Sequence, residues 1–152
     1  MTVNIGEKVK NFKLKDQNEN EVSLKDFEGK KVLLSFHPLA WTSVCRKQMM
    51  ALEKNYDQFI ENNTVPLGIS VDPLPSKKAW AEDMGLEKLQ ILSDFWPHGK
   101  LAKRLDNFVD KHGFSGRANI LLDECLEMIW SKVYELSELP DIDEVLEKVE
   151  EK

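Results

Sequence analysis

Two short apolar runs with a helical pattern between them place the strongest constraint on the fold of this chain. Residues 32–36 and 65–71 are rich in Val, Leu and Ile, as is typical of buried strands. Between them, residues 42–62 carry apolar side chains at helical spacing. A strand, a helix and a second strand in this order predict a βαβ unit, whose two strands are parallel neighbours joined by a right-handed crossover.

Strand-like and helix-like segments continue to alternate along the chain, which predicts an α/β fold with a central mixed sheet flanked by helices. Its 152 residues are close to the usual size of one domain, so we expect a single domain over residues 1–152. The other predicted elements are an N-terminal β-hairpin over 12–24, a helix over 76–84 capped by Ser76, a strand over 89–92, a helix over 98–105, a hairpin over 118–133 and a helix from Asp141.

Charge and composition narrow the classes of partner. The chain has 27 acidic and 21 basic residues, a net charge of −6, which argues against nucleic acid or an acidic membrane as the partner. No apolar stretch approaches the roughly 20 residues that span a bilayer. The two cysteines form no disulfide framework, so we expect free thiols and a cytoplasmic location. The three histidines lack metal-ligand spacing, and we predict no metal and no cofactor.

Cys45 is the leading candidate for a reactive residue. It lies in the first turn of the predicted helix, directly after a strand that ends at Pro38. A helix N-terminus carries partial positive charge and unpaired N–H groups, both of which favour the nucleophilic thiolate. Thr42 is a candidate N-cap, and Arg46 is either a second cation for the thiolate or a surface residue. The alternative for Cys45 itself is a buried structural cysteine.

The spacing Pro38-x-x-x-Thr42-x-x-Cys45 resembles the active-site signature of the peroxiredoxins of the alkyl hydroperoxide reductase and thiol-specific antioxidant type. Residues 22–30 and 92–99 are also similar to segments of that family, and Arg117 lies where the family carries its active-site arginine. The resemblance covers nearly the whole chain. It implies a thioredoxin-like fold with an N-terminal β-hairpin extension and a homodimer.

The resemblance also implies a chemistry. A Cys45 thiolate would attack hydrogen peroxide or a small organic hydroperoxide and become a sulfenic acid. Donors are then needed where negative charge develops on the leaving oxygen. Candidates are the Thr42 hydroxyl, nearby backbone N–H groups and Arg117, whose alternative role is a surface salt bridge. Pro38 would shield the thiolate from water.

Three further residues are predicted to support the site. Gln48, where many family members have glutamate, would anchor Arg117 or would be an exposed helix residue. His37, where tyrosine is common, would orient the start of the helix. Trp41 would line the pocket or a subunit contact, whereas we expect Phe95 to lie in the core.

Cys125 decides the type of peroxiredoxin. If Arg117 lies at the active-site end of a strand, eight further residues place Cys125 about 26 Å along the sheet. A disulfide requires Cα atoms within roughly 7 Å. We therefore predict a one-cysteine type with no resolving cysteine, in which an external thiol such as thioredoxin, glutaredoxin or a low-molecular-weight thiol reduces the sulfenic acid.

Two other functions stay open on the same fold. A thiol–disulfide oxidoreductase normally has a C-x-x-C pair, and here Thr42 stands where the partner cysteine would be. A non-catalytic redox sensor would use the same sulfenic acid to change the state of a partner protein. Rapid turnover with peroxide would separate the peroxidase from the sensor.

Overall fold

The computed structural model describes residues 4–151, so the two ends of the predicted domain, residues 1–3 and 152, lie outside the described range. In chain order its strands are β1 (Lys13–Asp16), β2 (Glu21–Ser23), β3 (Lys31–Phe36), β4 (Thr64–Ser70), β5 (Gln90–Ser93), β6 (Phe108–Val109), β7 (Phe114–Ser115), β8 (Arg117–Leu122) and β9 (Met128–Tyr134). Seven of them form the central sheet, in the spatial order β2-β1-β5-β4-β3-β8-β9. Strands β6 and β7 form a separate small hairpin.

The middle of the sheet is parallel and its outer parts are antiparallel. Strand β4 pairs in parallel with both β3 and β5, whereas β1, β8 and β9 join their neighbours in antiparallel fashion. Every residue of β4 is buried, because helices or loops cover both faces of a central parallel strand. The predicted α/β class, the mixed sheet and the N-terminal hairpin of β1 and β2 are confirmed.

In the described part of the chain, five α-helices cover the sheet: α1 (Ser43–Lys54), α2 (Tyr56–Glu61), α3 (Leu74–Met84), α4 (Lys100–Arg104) and α5 (Ile142–Glu150). Helices α1, α2, α3 and α5 pack their apolar side chains on one face, around Leu33 of β3. Helix α4 and the N-terminal segment pack on the other face, around Val32 and Leu34. Successive residues of β3 thus point into different cores, as strand geometry requires. Within residues 4–151, no helix combines the length and apolar character needed to cross a membrane.

Two predicted helix boundaries were wrong. The helix expected over 42–62 is divided at Asn55, whose side-chain Nδ2 donates to the Ala51 carbonyl at 2.8 Å. An asparagine that bonds the preceding turn competes with helix continuation. Helix α3 begins at Leu74 rather than after Ser76, because a proline in the first turn removes only an N–H that has no partner within the helix. The Ser76 hydroxyl instead accepts from Nε1 of Trp41 at 3.1 Å.

Candidate active site

Cys45 lies where strand β3 gives way to helix α1. The chain leaves the sheet after Phe36, passes the buried Pro38 and enters the helix at Ser43, with Thr42 in extended conformation as the N-cap. Cys45 is therefore the third helical residue, and its side chain is fully buried. The first turn of a helix has N–H groups without intrahelical partners and the positive end of the helix dipole. Both favour a negative charge on this sulfur.

The loop before the helix is fixed by hydrogen bonds from its own residues. The backbone N–H of Ala40 donates to Oδ2 of Asp72 at 2.8 Å, and the Ser70 hydroxyl donates to the same oxygen at 2.6 Å. The exposed Thr42 hydroxyl donates to the Leu39 carbonyl at 2.8 Å and makes no side-chain capping bond. With its proton engaged there, the Thr42 hydroxyl is left to accept a further hydrogen bond, whereas the resemblance implied a donor.

Arg117 reaches the same point from the neighbouring strand. Strands β3 and β8 are antiparallel, with Phe36 opposite Ala118. The first residue of β8 therefore lies at the end of the sheet where α1 begins. Nη1 of the buried Arg117 lies 3.4 Å from Sγ of Cys45. A positively charged guanidinium thus faces the sulfur directly.

The guanidinium of Arg117 is held by neutral acceptors. Nη1 donates to Oε1 of Gln48 at 2.7 Å, and Nε and Nη2 donate to the Leu136 carbonyl at 3.1 and 2.7 Å. Gln48 is itself buried, and its Nε2 donates to the Ser35 hydroxyl and the Phe36 carbonyl at 2.8 and 3.1 Å. These contacts fix the orientation of the guanidinium without neutralising it, which leaves its positive charge available to a thiolate.

His37 lies fully buried directly after β3, between Phe36 and Pro38. Its carbonyl accepts from the Ser115 hydroxyl at 3.0 Å, and its Nε2 lies 3.3 Å from Nζ of Lys77. Burial, and then the positive charges of Lys77 and Arg117, lower the pKa of His37 well below its ordinary value. The imidazole is therefore neutral at neutral pH.

Arg46 and Trp41 lie at the protein surface, which for Arg46 is the second of the two roles that the sequence left open. Arg46 forms an ion pair with Asp83 at 2.7 Å on the protein surface. Trp41 has a side chain that is 53% exposed and a left-handed backbone with a φ of 70°. The prediction that Phe95 lies in the core was wrong, because its side chain is exposed at the protein surface.

The chain can now be compared with known proteins. Residues 5–129 match the family model described as the AhpC/TSA family. The chain belongs to this family, the peroxiredoxins. Relatives named for peroxide reduction support the same assignment, and the protein is a thiol-dependent peroxidase, an oxidoreductase.

Individual relatives cover most of this peroxiredoxin. It is 36% identical over 122 residues to alkyl hydroperoxide reductase E of Mycobacterium tuberculosis, a match that covers 80% of this chain and 79% of the relative. It is 32% identical over 140 residues to the mitochondrial thioredoxin-dependent peroxide reductase of Drosophila melanogaster, covering 86% of this chain and 58% of that protein.

Solved structures agree in fold. The reduced 2-Cys peroxiredoxin of Plasmodium vivax superimposes with a TM-score of 0.88 at 31% identity, covering 95% of this chain and 79% of that one. AhpC of Enterococcus faecalis shares the fold with a TM-score of 0.90 at 24% identity, covering 99% and 92% of the two chains. The thioredoxin-like fold predicted from the resemblance is confirmed.

The second cysteine of this peroxiredoxin lies at the other end of the sheet. Cys125 is exposed in the turn between β8 and β9, where its N–H donates to Oδ1 of Asp123 at 2.9 Å. The adjacent Glu124 carbonyl accepts from the N–H of Gly29, two residues before β3 begins. Because β3 leads from that end to the Cys45 loop at its other end, the sheet separates the two thiols.

Lys77 is the residue near the site that the sequence predictions missed. It lies fully buried on α3, beside His37. The signal was available in the helix pattern, since Lys77 shares its face with the buried Trp80, Ala81 and Met84, and helix faces repeat at spacings of three and four residues. Among the described residues, no cluster of three or more His, Cys, Asp or Glu side chains is placed to hold a metal ion.

Proposed function

We propose that this peroxiredoxin reduces hydrogen peroxide and small organic hydroperoxides through Cys45, which becomes a sulfenic acid and is then reduced by an external thiol. The observation that carries the proposal is the 3.4 Å contact between Nη1 of Arg117 and Sγ of Cys45 at the start of α1. A fixed cation and a helix N-terminus acting on one buried sulfur favour a thiolate.

The proposed reaction is a two-electron oxidation of sulfur. The thiolate attacks one peroxide oxygen, the S–O bond forms as the O–O bond breaks, and the second oxygen leaves with the electron pair and takes a proton to become water or an alcohol. Arg117 stabilises the negative charge as it moves from sulfur to the leaving oxygen. Thr42 accepts a hydrogen bond from the hydroperoxide, and the buried Pro38 keeps water from the sulfur.

Reduction by an outside thiol follows from the position of Cys125. One thiol attacks the sulfenic acid, releases water and forms a mixed disulfide, and a second thiol frees Cys45. Cys125, at the opposite end of β8 from Arg117, is too far away to act as the first thiol without extensive unfolding. Thioredoxin, glutaredoxin and low-molecular-weight thiols are the proposed classes of reductant, and the cytoplasm is the proposed location, because it keeps such thiols reduced.

A homodimer is the proposed assembly. Several large apolar side chains lie exposed at the end of the molecule that holds the Cys45 loop, among them Trp96, which is 81% exposed, and Trp41. Aromatic residues of this kind are enriched at protein interfaces. Analytical ultracentrifugation of the reduced protein tests this part of the proposal, which a monomer at all accessible concentrations would contradict.

Stopped-flow tryptophan fluorescence tests the chemistry. Reduced protein is mixed with hydrogen peroxide, and the wild type is compared with Cys45→Ser and with the matched control Cys125→Ser. We expect rapid oxidation in the wild type and in Cys125→Ser and none in Cys45→Ser. Oxidation of the wild type no faster than that of an ordinary free cysteine would contradict the proposal.

A further inference from the structure

Lys77 is a buried cation that the proposed reaction does not yet use. Its side chain is fully buried, and its Nζ lies 3.3 Å from Nε2 of the equally buried His37. Within residues 4–151 this is the only hydrogen bond of that side chain, and no carboxylate forms an ion pair with it. Burial of an ammonium group without a paired carboxylate lowers the stability of the fold. A buried lysine of this kind beside the active site therefore indicates a functional role.

His37 provides an acceptor for this ammonium group. The neutral imidazole presents the Nε2 lone pair to Lys77, which places the ring proton on Nδ1, and Nδ1 has no hydrogen-bond partner among the described residues. The two side chains together therefore hold at most one positive charge, and that charge resides on Lys77. His37 lies next to Pro38, so the pair is part of the structure that supports the Cys45 loop.

The surroundings couple the charge of Lys77 to Cys45. Cys45 packs in the same buried cluster as Trp80 and Ala81, which share the buried face of α3 with Lys77. The charged and titratable groups that act on Lys77 or on His37 are Asp72, Asp94, Cys45 and Arg117. Burial lowers the pKa of Lys77 to about 7, whereas negative charges on Asp72, Cys45 and Asp94 act in the opposite direction. Coupling between two sites is reciprocal. A thiolate that favours protonated Lys77 is therefore itself favoured by protonated Lys77.

We propose that Lys77, held by His37, is a positioning residue whose protonated form supplies, beside Arg117, a second positive charge for the Cys45 thiolate. The inference rests on the proposed role of Cys45 as nucleophile. Where Lys77 is neutral before Cys45 ionises, it binds the proton that the thiol loses, and where Lys77 is already protonated, that proton goes to solvent. The neutral sulfenic acid lowers the affinity of Lys77 for its proton, and the leaving oxygen takes one proton, from Lys77 or from solvent, to become water or an alcohol.

The pH dependence of the rate tests this role. The second-order rate constant for hydrogen peroxide is measured from about pH 5 to about pH 9 in Cys125→Ser protein, with and without Lys77→Met. We expect Lys77→Met to raise the pH midpoint of the rate by roughly half a unit to one unit, and to slow the reaction about three- to tenfold near pH 6. The rates converge near pH 9, where Lys77 has lost its charge in the wild type and no longer differs from methionine in charge.

Convergence distinguishes this role from a structural one, since damage to the fold would lower the rate at every pH. The matched control is Lys78→Met, an exposed neighbour on the same helix, which leaves the profile unchanged. Lys77→Arg, which keeps a permanent charge, is expected to retain fast reaction at low pH. A Lys77→Met profile with the wild-type midpoint would overturn the inference, whatever its height.

A measurement on the unaltered side chain covers the case in which Lys77→Met does not fold. With lysine labelled by ¹³C at Cε, we expect one lysine resonance of the reduced protein to titrate near neutral pH and its midpoint to fall in Cys45→Ser. The absence of such a resonance, or a midpoint that Cys45→Ser does not move, would overturn the inference. Peroxide oxidation that persists in Cys45→Ser would instead contradict the proposed function.

Discussion

The two cysteines of this chain lie in opposite surroundings at opposite ends of one sheet. Cys125 is exposed in a β-turn, among the acidic side chains of Asp123, Glu124 and Glu127, with no cation bonded to its sulfur in the described structure. Cys45 is fully buried at a helix start, with the Arg117 guanidinium 3.4 Å from its sulfur. The exposed thiol of Cys125 therefore has no cation beside it to favour a thiolate, whereas the thiol of Cys45, which has one, is buried.

We therefore expect the reactivity of the two thiols to depend on the charges around each sulfur more than on its exposure. Around Cys45 the fold buries two cations, Arg117 and Lys77, and the hydrogen-bond acceptors of both are neutral groups. Burying charged side chains lowers the stability of the folded protein, and such buried charges are concentrated at active sites. The Cys125 turn buries no comparable charge.

Removing the Arg117 guanidinium should have the largest effect, because it leaves the Cys45 sulfur, like that of Cys125, without an arginine beside it. We expect Arg117→Met to lower the second-order rate constant for hydrogen peroxide about 100- to 1,000-fold, because one fixed donor at developing charge is typically worth this much. Stopped-flow fluorescence measures it. Arg46→Met, which removes a surface ion pair one residue after Cys45, is the matched control, with a change below about twofold. Equal losses in both variants would show that Arg117 has no special relation to the sulfur.

Replacing the buried Lys77 should raise the free energy of unfolding, although the same change slows the proposed reaction. Folding lowers the pKa of Lys77 from 10.5 to about 7, so between these values the unfolded chain binds more protons and stability rises with pH. The cost of the buried charge is therefore greatest below pH 7. We expect Lys77→Met to be more stable than the wild type there, by on the order of 3 kcal/mol.

That advantage should shrink as the pH rises from about 7 towards 10.5, because the proton that Lys77 must release on folding is bound less and less tightly by the unfolded chain relative to the solution. Urea denaturation at several pH values measures the difference, and Lys78→Met should show no such dependence. A pH-independent difference between Lys77→Met and the wild type would mean that Lys77 titrates normally in the folded protein.

Gln48 offers a smaller change that disturbs Arg117 without removing it. Gln48→Leu deletes the 2.7 Å acceptor of Nη1 and the donor to Ser35 and Phe36. We expect a loss of about 1–3 kcal/mol in the free energy of unfolding, as is usual when buried polar groups lose partners, and a roughly tenfold lower rate with peroxide. Met50→Leu, at an exposed position on the same helix, is the control. A wild-type rate in Gln48→Leu would show that Arg117 keeps its position through Leu136 alone.

Much of the fold was predictable from the sequence because its signals are local. The apolar runs of β3 and β4 and the helical spacing between them predict the central βαβ unit. The last helix was expected from Asp141, and in the structure Asp141 is the N-cap of α5, where its side chain accepts from the N–H of Asp143. The break at Asn55 was missed because periodicity continues across it, whereas the interruption comes from a side-chain bond to Ala51.

The candidate site was less predictable because its contacts join residues far apart in the chain. Cys45 stood out through its helix start, but Arg117 lies 72 positions away and was nominated only by resemblance to the peroxiredoxins. Lys77 was overlooked because a lysine in an amphipathic helix is expected to face solvent. Its pairing with His37, 40 positions away, depends on how α3 packs against the end of β3.

The most direct test of the contrast between the two thiols is to oxidise both in one sample. Reduced wild-type protein is treated with less than one equivalent of hydrogen peroxide in the presence of dimedone, which traps sulfenic acid, and each cysteine peptide is quantified by mass spectrometry. We expect the Cys45 peptide to carry the dimedone label while the Cys125 peptide remains unmodified. Labelling of Cys125 at an equal or greater rate, or a Cys45–Cys125 disulfide, would contradict it.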